Sequence, residues 1–94
     1  MNLIKEYGQI QTTINNLVNS NKPVSPNMYK RQIQILEQLD DKFVKEGKEN
    51  IKVYTVRIRY NSMLEYLAKK LNLPTDKYSE NIKLLYRKMG IPEE

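Results

Sequence analysis

Apolar residues return along this chain at intervals of three and four, which is the period of one face of an α-helix. Leu3, Tyr7, Ile10, Ile14 and Leu17 make the first such stripe and predict a helix over 3–18. Tyr29, Ile33, Leu36, Leu39 and Phe43, widened by Ile35 and Val44, predict a second over 26–46. Val53, Val56, Tyr60, Met63/Leu64, Leu67 and Leu71 predict a third over 51–71, and Tyr78, Ile82, Leu85 and Met89 a fourth over 76–89. The predicted core is drawn from these stripes, with Met63 taken as the inward residue at its place on the third helix. No stripe can be covered by its immediate neighbour alone, so the reading is all-α, an antiparallel four-helix bundle.

The segments between the stripes carry helix stops and starts. Asn19-Ser20-Asn21-Lys22-Pro23 ends the first helix, because proline disfavours helix at Lys22. Ser25-Pro26 opens the second: the serine oxygen can accept from an orphan amide, and proline at the first helical position has no N–H to lose. Gly47 suits a left-handed residue after the second helix, and Lys48-Glu49-Asn50 is short enough to make helices two and three antiparallel neighbours. Asn72-Leu73-Pro74-Thr75 separates the last two helices, with Thr75 as N-cap and Asp76 placed against the helix dipole. Gly90 fits the position after the fourth helix, Ile91 can fold back onto Tyr86, and Pro92 prevents continuation. One segment reads two ways. Residues 51–60 are rich in β-branched and aromatic side chains, and the last five alternate, as in a strand. No other segment offers a partner strand, and the helical stripe continues through Leu71 without a phase break; the alternative is a strand pairing across a dimer.

Ninety-four residues make a single domain over 1–94. Cysteine and histidine are both absent, which removes disulfides, thiol nucleophiles, the usual zinc ligands and histidine bases. Met1 is followed by no charged-then-apolar leader, and no apolar run approaches the ~18 residues of a membrane span, so a cytoplasmic, non-integral protein is expected. The net charge of +5 is distributed unevenly: residues 1–50 hold seven cations and six anions, residues 51–94 nine and five. An excess of that kind attracts nucleic acid, anionic lipid headgroups or an acidic protein face, and it also serves solubility.

Enzymatic constellations are nearly absent from the chain, and no cofactor is expected. Gly8, Gly47 and Gly90 stand apart from one another and form no phosphate loop. Asp40, Asp41 and Glu37 cluster on the second helix, but adjacent aspartates diverge by ~100° and read as a solvated face. The basic residues are more suggestive. Lys52, Arg59, Tyr66 and Lys70 fall along one flank of the third helix. On the fourth, Leu84 points away from the apolar stripe with Lys77, Lys83, Arg87 and Lys88 around it, a contact spot for an acidic, partly apolar partner or an isolated surface leucine. Tyrosines interleaved with Arg57, Arg59, Lys69, Lys70, Lys83 and Arg87 also suit a small nucleic-acid-binding or regulatory protein. An adaptor docking through Leu84 is a third reading.

The layout resembles a known family. Ile58-Arg59-Tyr60-Asn61 is similar to an apolar-Arg-apolar-Asn stretch, and Leu73-Pro74-Thr75-Asp76-Lys77-Tyr78 to the opening of a last helix. Ile82-Lys83-Leu84-Leu85, Gly90-Ile91 and Leu36-Glu37-Gln38-Leu39 add to the likeness, which spans about residues 10–91. The family is that of the immunity proteins which protect bacteria from their own pediocin-like (class IIa) bacteriocins, small basic chains folded as antiparallel four-helix bundles. Only Pro92-Glu93-Glu94 follow Ile91, which leaves any specificity carried by a longer family tail without residues to bear it. The resemblance implies action from the cytoplasmic side of the membrane. Such a protein recognises a bacteriocin bound to its receptor, the membrane components of the mannose phosphotransferase system, and blocks the pore. It implies a partner-binding surface in the C-terminal half, with the membrane surface as a possible neighbour.

Overall fold

The computed structural model of the chain describes residues 2–92. They form four α-helices and no strand: α1 (Leu3–Asn19), α2 (Pro26–Glu46), α3 (Ile51–Lys70) and α4 (Asp76–Lys88). Each predicted boundary lies within one residue of the observed one. Residues 51–60 are helical, so the strand reading of that segment falls. Asn50 starts α3 by accepting the Val53 amide at 3.0 Å, and once that turn is closed the β-branched run joins a stripe that continues to Leu71.

Local chemistry accounts for the other ends. Asn2 accepts the Lys5 amide and Ser25 the Asn27 amide, with Pro26 at the first position of α2. Thr75 stands at the N-cap of α4, but its side chain makes no capping bond; its carbonyl receives the Tyr78 and Ser79 amides instead. Gly47 and Gly90 take the left-handed conformation at φ +65° and +77°. Behind Gly90 the Ile91 amide closes onto the Tyr86 carbonyl at 2.9 Å, the fold-back expected from the sequence. Asn21 and Asn72 fill the same role after α1 and α3 at φ +55° and +57°, as asparagine can at modest cost.

The helices pack antiparallel in chain order, α1 on α2, α2 on α3 and α3 on α4, into a body 44 × 33 × 19 Å. The central cluster takes Ile33 and Leu36 from α2, Leu64, Leu67 and Ala68 from α3, and Tyr78 from α4, with Tyr7, Tyr29, Tyr60 and Leu71 against it. Ile35, fully buried, and Ile14 extend the interior. Two expectations change here. Leu64 is inward and Met63 is 36% exposed; Val44, expected to widen the α2 stripe, is 56% exposed.

The rotation of α3 has a cause that hydropathy does not register: its inward row is Val53, Arg57, Asn61, Leu64 and Ala68, two of them polar. Arg57 donates to both carboxylate oxygens of Asp40, at 2.8 and 3.2 Å. Asn61 Nδ2 donates to Asp40 Oδ1 at 3.2 Å and to the Arg57 carbonyl at 2.8 Å, and Asn81 of α4 donates to Asn61 Oδ1 at 3.0 Å. Asp40 is only 6% exposed, so its assignment to a solvated face with Asp41 and Glu37 is corrected. Asp41 is exposed, and Glu37 is half-buried and accepts the Tyr78 hydroxyl at 3.0 Å. Ionic groups are tolerated inside because the fork geometry and the two asparagines satisfy them together. At the other edge, Arg31 grips Glu6 with two bonds of 2.6 and 2.8 Å and holds α1 to α2.

Two consequences are measurable. In urea unfolding, Leu36→Ala or Leu67→Ala costs ~2–5 kcal/mol. Arg57→Ala costs about 3–5 kcal/mol because it strands a buried carboxylate, while Met63→Ala changes stability by under about 0.5 kcal/mol. The second consequence concerns alkali. Burial, and then its bond to the Glu37 carboxylate, push the Tyr78 phenol up to about 12. The folded state thus holds this proton more tightly than the unfolded chain, whose phenol titrates near 10. The stability that results is full below pH 10 and is lost as pH rises from there towards 12. Tyr78→Phe should flatten that segment of the stability–pH curve; an unchanged slope would assign it to other tyrosines.

Candidate functional site

The residues singled out from the sequence lie on two surfaces. Asn61 and Glu65 meet α4 through Asn81 and Ser79. Arg59 stands two positions from Asn61, about 200° around the helix, so the row Lys52, Arg59, Tyr66 and Lys70 faces away from α4. The structure therefore brings Tyr66 and Lys70 together, and separately Lys77, Lys83, Leu84, Arg87 and Lys88, but it does not merge the two sets.

On α4, Leu84 is 46% exposed. Lys77, Leu84 and Lys88 share one row at spacings of seven and four, while Lys83 and Arg87 form the next row at a spacing of four. All three lysines of α4 already have carboxylate partners. Lys77 lies 3.5 Å from Glu37, Lys83 3.8 Å from Glu80 and Lys88 2.9 Å from Glu49. Two of these carboxylates come from outside the hairpin formed by α3 and α4, which the sequence reading treated as the basic half. Lys88 also stands over the Tyr54 ring at 5.8 Å. Hydrogen bonds from Lys88 and then Tyr54 hold the Glu49 carboxyl below the usual carboxylate range, and the same bond raises the Tyr54 phenol. The face is held rigidly from beneath by Tyr78 and Leu85, both buried, and by the Asn81–Asn61 bond. Leu84 is thus exposed among ion pairs that, being exposed themselves, contribute only about 0–1 kcal/mol each.

On the other side, Lys70 Nζ stands over two aromatic rings, Tyr66 at 5.1 Å and Tyr29 of α2 at 5.5 Å. A hydrogen bond to Tyr66, followed by the charge interaction with Tyr29 and Tyr66, raises its pKa. It borders a groove of about 380 Å³ between α1, α2 and α3. Lys52 and Arg59 continue the same flank, both exposed and without an ion-pair partner among the described residues.

The cations proposed for nucleic acid fare unevenly. Arg57, with its side chain 12% exposed and bound to Asp40, is no phosphate contact, and Lys69 and Lys83 lie near Glu65 and Glu80. The polar row of Asp40, Arg57, Asn61 and Asn81 was missed by the sequence reading, although Asp40 sits at stripe spacing between Leu36 and Phe43. Among the described residues, no group of three or more acidic side chains is gathered to hold a metal ion, and no helix is long and apolar enough to cross a membrane. No known family model matches the chain, nor does any curated protein or solved structure.

Proposed function

We propose that this chain is an immunity protein of the pediocin-like bacteriocin type. In this reading it binds, from the cytoplasmic side, the mannose phosphotransferase membrane components of a receptor already carrying the bacteriocin, and so blocks the pore. The observation that carries the reading is the α4 face: Leu84, exposed among Lys77, Lys83, Arg87 and Lys88 on a helix anchored from below. The resemblance in layout and in the Ile58–Asn61 and Leu73–Tyr78 stretches supports it. An acidic, partly apolar protein surface would displace Glu37, Glu49 and Glu80 from their lysines and cover Leu84, gaining charge-assisted contacts and apolar burial at once.

Expression of the chain inside a bacteriocin-sensitive strain should confer resistance to one bacteriocin or a few, and addition from outside should confer none. The two surfaces are separable by mutation. Changing Lys83, Leu84 and Lys88 to neutral polar residues should abolish protection and leave the helical spectrum nearly unchanged, since exposed substitutions alter stability by under about 0.5 kcal/mol each. Changing Arg59 and Lys70 tests the α3 flank in the same assay. A control set of exposed lysines on the first half, Lys22, Lys30, Lys42 and Lys45, should protect fully. Loss of protection in that control alone would put the working surface elsewhere, and tight, steeply salt-dependent retention of DNA or RNA would replace immunity with nucleic-acid binding.

A further inference from the structure

The outer flank of α3 has a pattern that the α4 face does not share. Lys52, Val56, Arg59, Met63, Tyr66 and Lys70 follow one another at intervals of four, three, four, three and four. At about 100° per residue all six fall within roughly 80° of the helix circumference, in a row about 27 Å long. Such intervals are a heptad seam, the spacing by which one helix receives another. Five of the six side chains are exposed, Tyr66 to 60%, and Val56 is half-buried, so a partner lying along the row meets them directly. Among the described residues no helix lies against this row: α4 is on the other side of α3, and α1 packs on α2, not on α3. The row holds three cations and no anion. Lys52 and Arg59 have no ion-pair partner among the described residues, and Lys70 rests on the Tyr66 and Tyr29 rings, which fix its place without supplying a counter-charge. At the Lys70 end the row borders the groove between α1, α2 and α3, to which Val18, 56% exposed, and Tyr66 both contribute. No acidic residue lines that groove.

An occupant of this row has to bring anions and apolar groups along one line and at one depth. A lipid leaflet holds its charge and its hydrocarbon at different depths, and an interfacial helix accordingly keeps its charged and apolar faces apart. A phosphate backbone would pair with the cations and leave Val56 and Met63 without a contact. A second copy of the row would set cation against cation. We propose that the α3 row is a docking seam for an acidic amphipathic helix of a partner protein. The apolar residues of that helix, at heptad spacing, lie on Val56, Met63 and Tyr66, and Glu or Asp residues beside them pair with Lys52, Arg59 and Lys70. Val18 extends the apolar contact on the α1 side. An amphipathic helix laid on an apolar seam, with anchors at i, i+3, i+4 and i+7, is an established mode of recognition. The seam is on a different flank from the α4 face, and the inference does not rest on the immunity reading.

The test titrates the intact chain with three peptides of three heptads each. The first carries Leu at both seam positions of every heptad and Glu on either side of them; the second has Lys for every Glu, and the third has Ser for every Leu. Calorimetry gives affinity, and amide chemical shifts of the protein locate the contact. The Leu/Glu peptide should bind saturably below about 1 mM and move the resonances of residues 52–70. The other two peptides should each bind about tenfold more weakly or worse, one for want of anions and the other for want of apolar surface. Changing Lys52, Arg59 and Lys70 together to Gln should weaken the Leu/Glu peptide about tenfold, and so should Met63→Ser with Tyr66→Ser. The melting temperature should stay close to that of the unaltered chain in both, since the changed side chains are exposed. Neutralising Lys22, Lys30, Lys42 and Lys45, which removes more charge from elsewhere on the surface, should leave the affinity unchanged. Equal binding of the Glu and Lys peptides, shifts confined to α4, or undiminished binding by either row variant would overturn the proposal. Absence of binding by the Leu/Glu peptide at millimolar concentration would overturn it too, and retention of the chain on anionic phospholipid vesicles or duplex DNA would then give the row to lipid or nucleic acid. The three peptides decide the matter even where a row variant does not fold.

Discussion

The pair formed by Asp40 and Arg57 sets the arrangement of this molecule. Two opposite charges removed from water are costly unless each finds its partner in good geometry, so the pair tolerates few alternative alignments of α2 against α3. Asn61, one turn along from Arg57, bonds both the aspartate and the arginine's own carbonyl, and passes its remaining acceptor to Asn81. One connected set of side chains thus ties three helices. The apolar cluster of Leu36, Leu64, Leu67 and Tyr78 supplies the driving force for collapse, but dispersion and hydration discriminate poorly between neighbouring registers. Directional bonds to buried charge discriminate well.

The same principle of pairing across elements reshapes the surface. Counted along the chain, the second half is basic and the first nearly neutral. In space, Glu37 and Glu49 reach across to Lys77 and Lys88, so α4 presents exchangeable ion pairs around Leu84 rather than bare charge. In the proposed reading, an acidic partner would displace these carboxylates from their lysines. On the far side of α3, Lys70 is treated differently. It lies on tyrosine faces, which stabilise a cation without neutralising it, at the edge of the groove between α1, α2 and α3. The two surfaces belong to different helix flanks, and their chemistries differ accordingly.

Much of the fold was legible in the sequence because helices are specified locally. Intervals of three and four, an asparagine or serine before each of the first three helices, and a glycine or asparagine after each helix or one residue beyond it act within a few residues of one another. They placed all four elements; for 51–60 the stripe running on to Leu71 favoured helix over a strand pairing across a dimer, and the folded chain decides for helix. What the sequence did not disclose is which polar residues turn inward. Hydropathy counts Asp40, Arg57, Asn61 and Gln32 as surface, and only the approach of another helix carrying the complementary group makes their burial tolerable. That is why the face of α3 was misjudged by one residue, with Met63 taken for Leu64, and why Arg57 was offered as a phosphate contact. The basic candidates were identifiable one by one, from charge and helical angle. Their division into two surfaces, the carboxylates that reach Lys77 and Lys88, the Tyr29 ring beneath Lys70 and the groove between α1, α2 and α3 follow from contacts about twenty to forty positions apart, and those distances exist only in the folded chain.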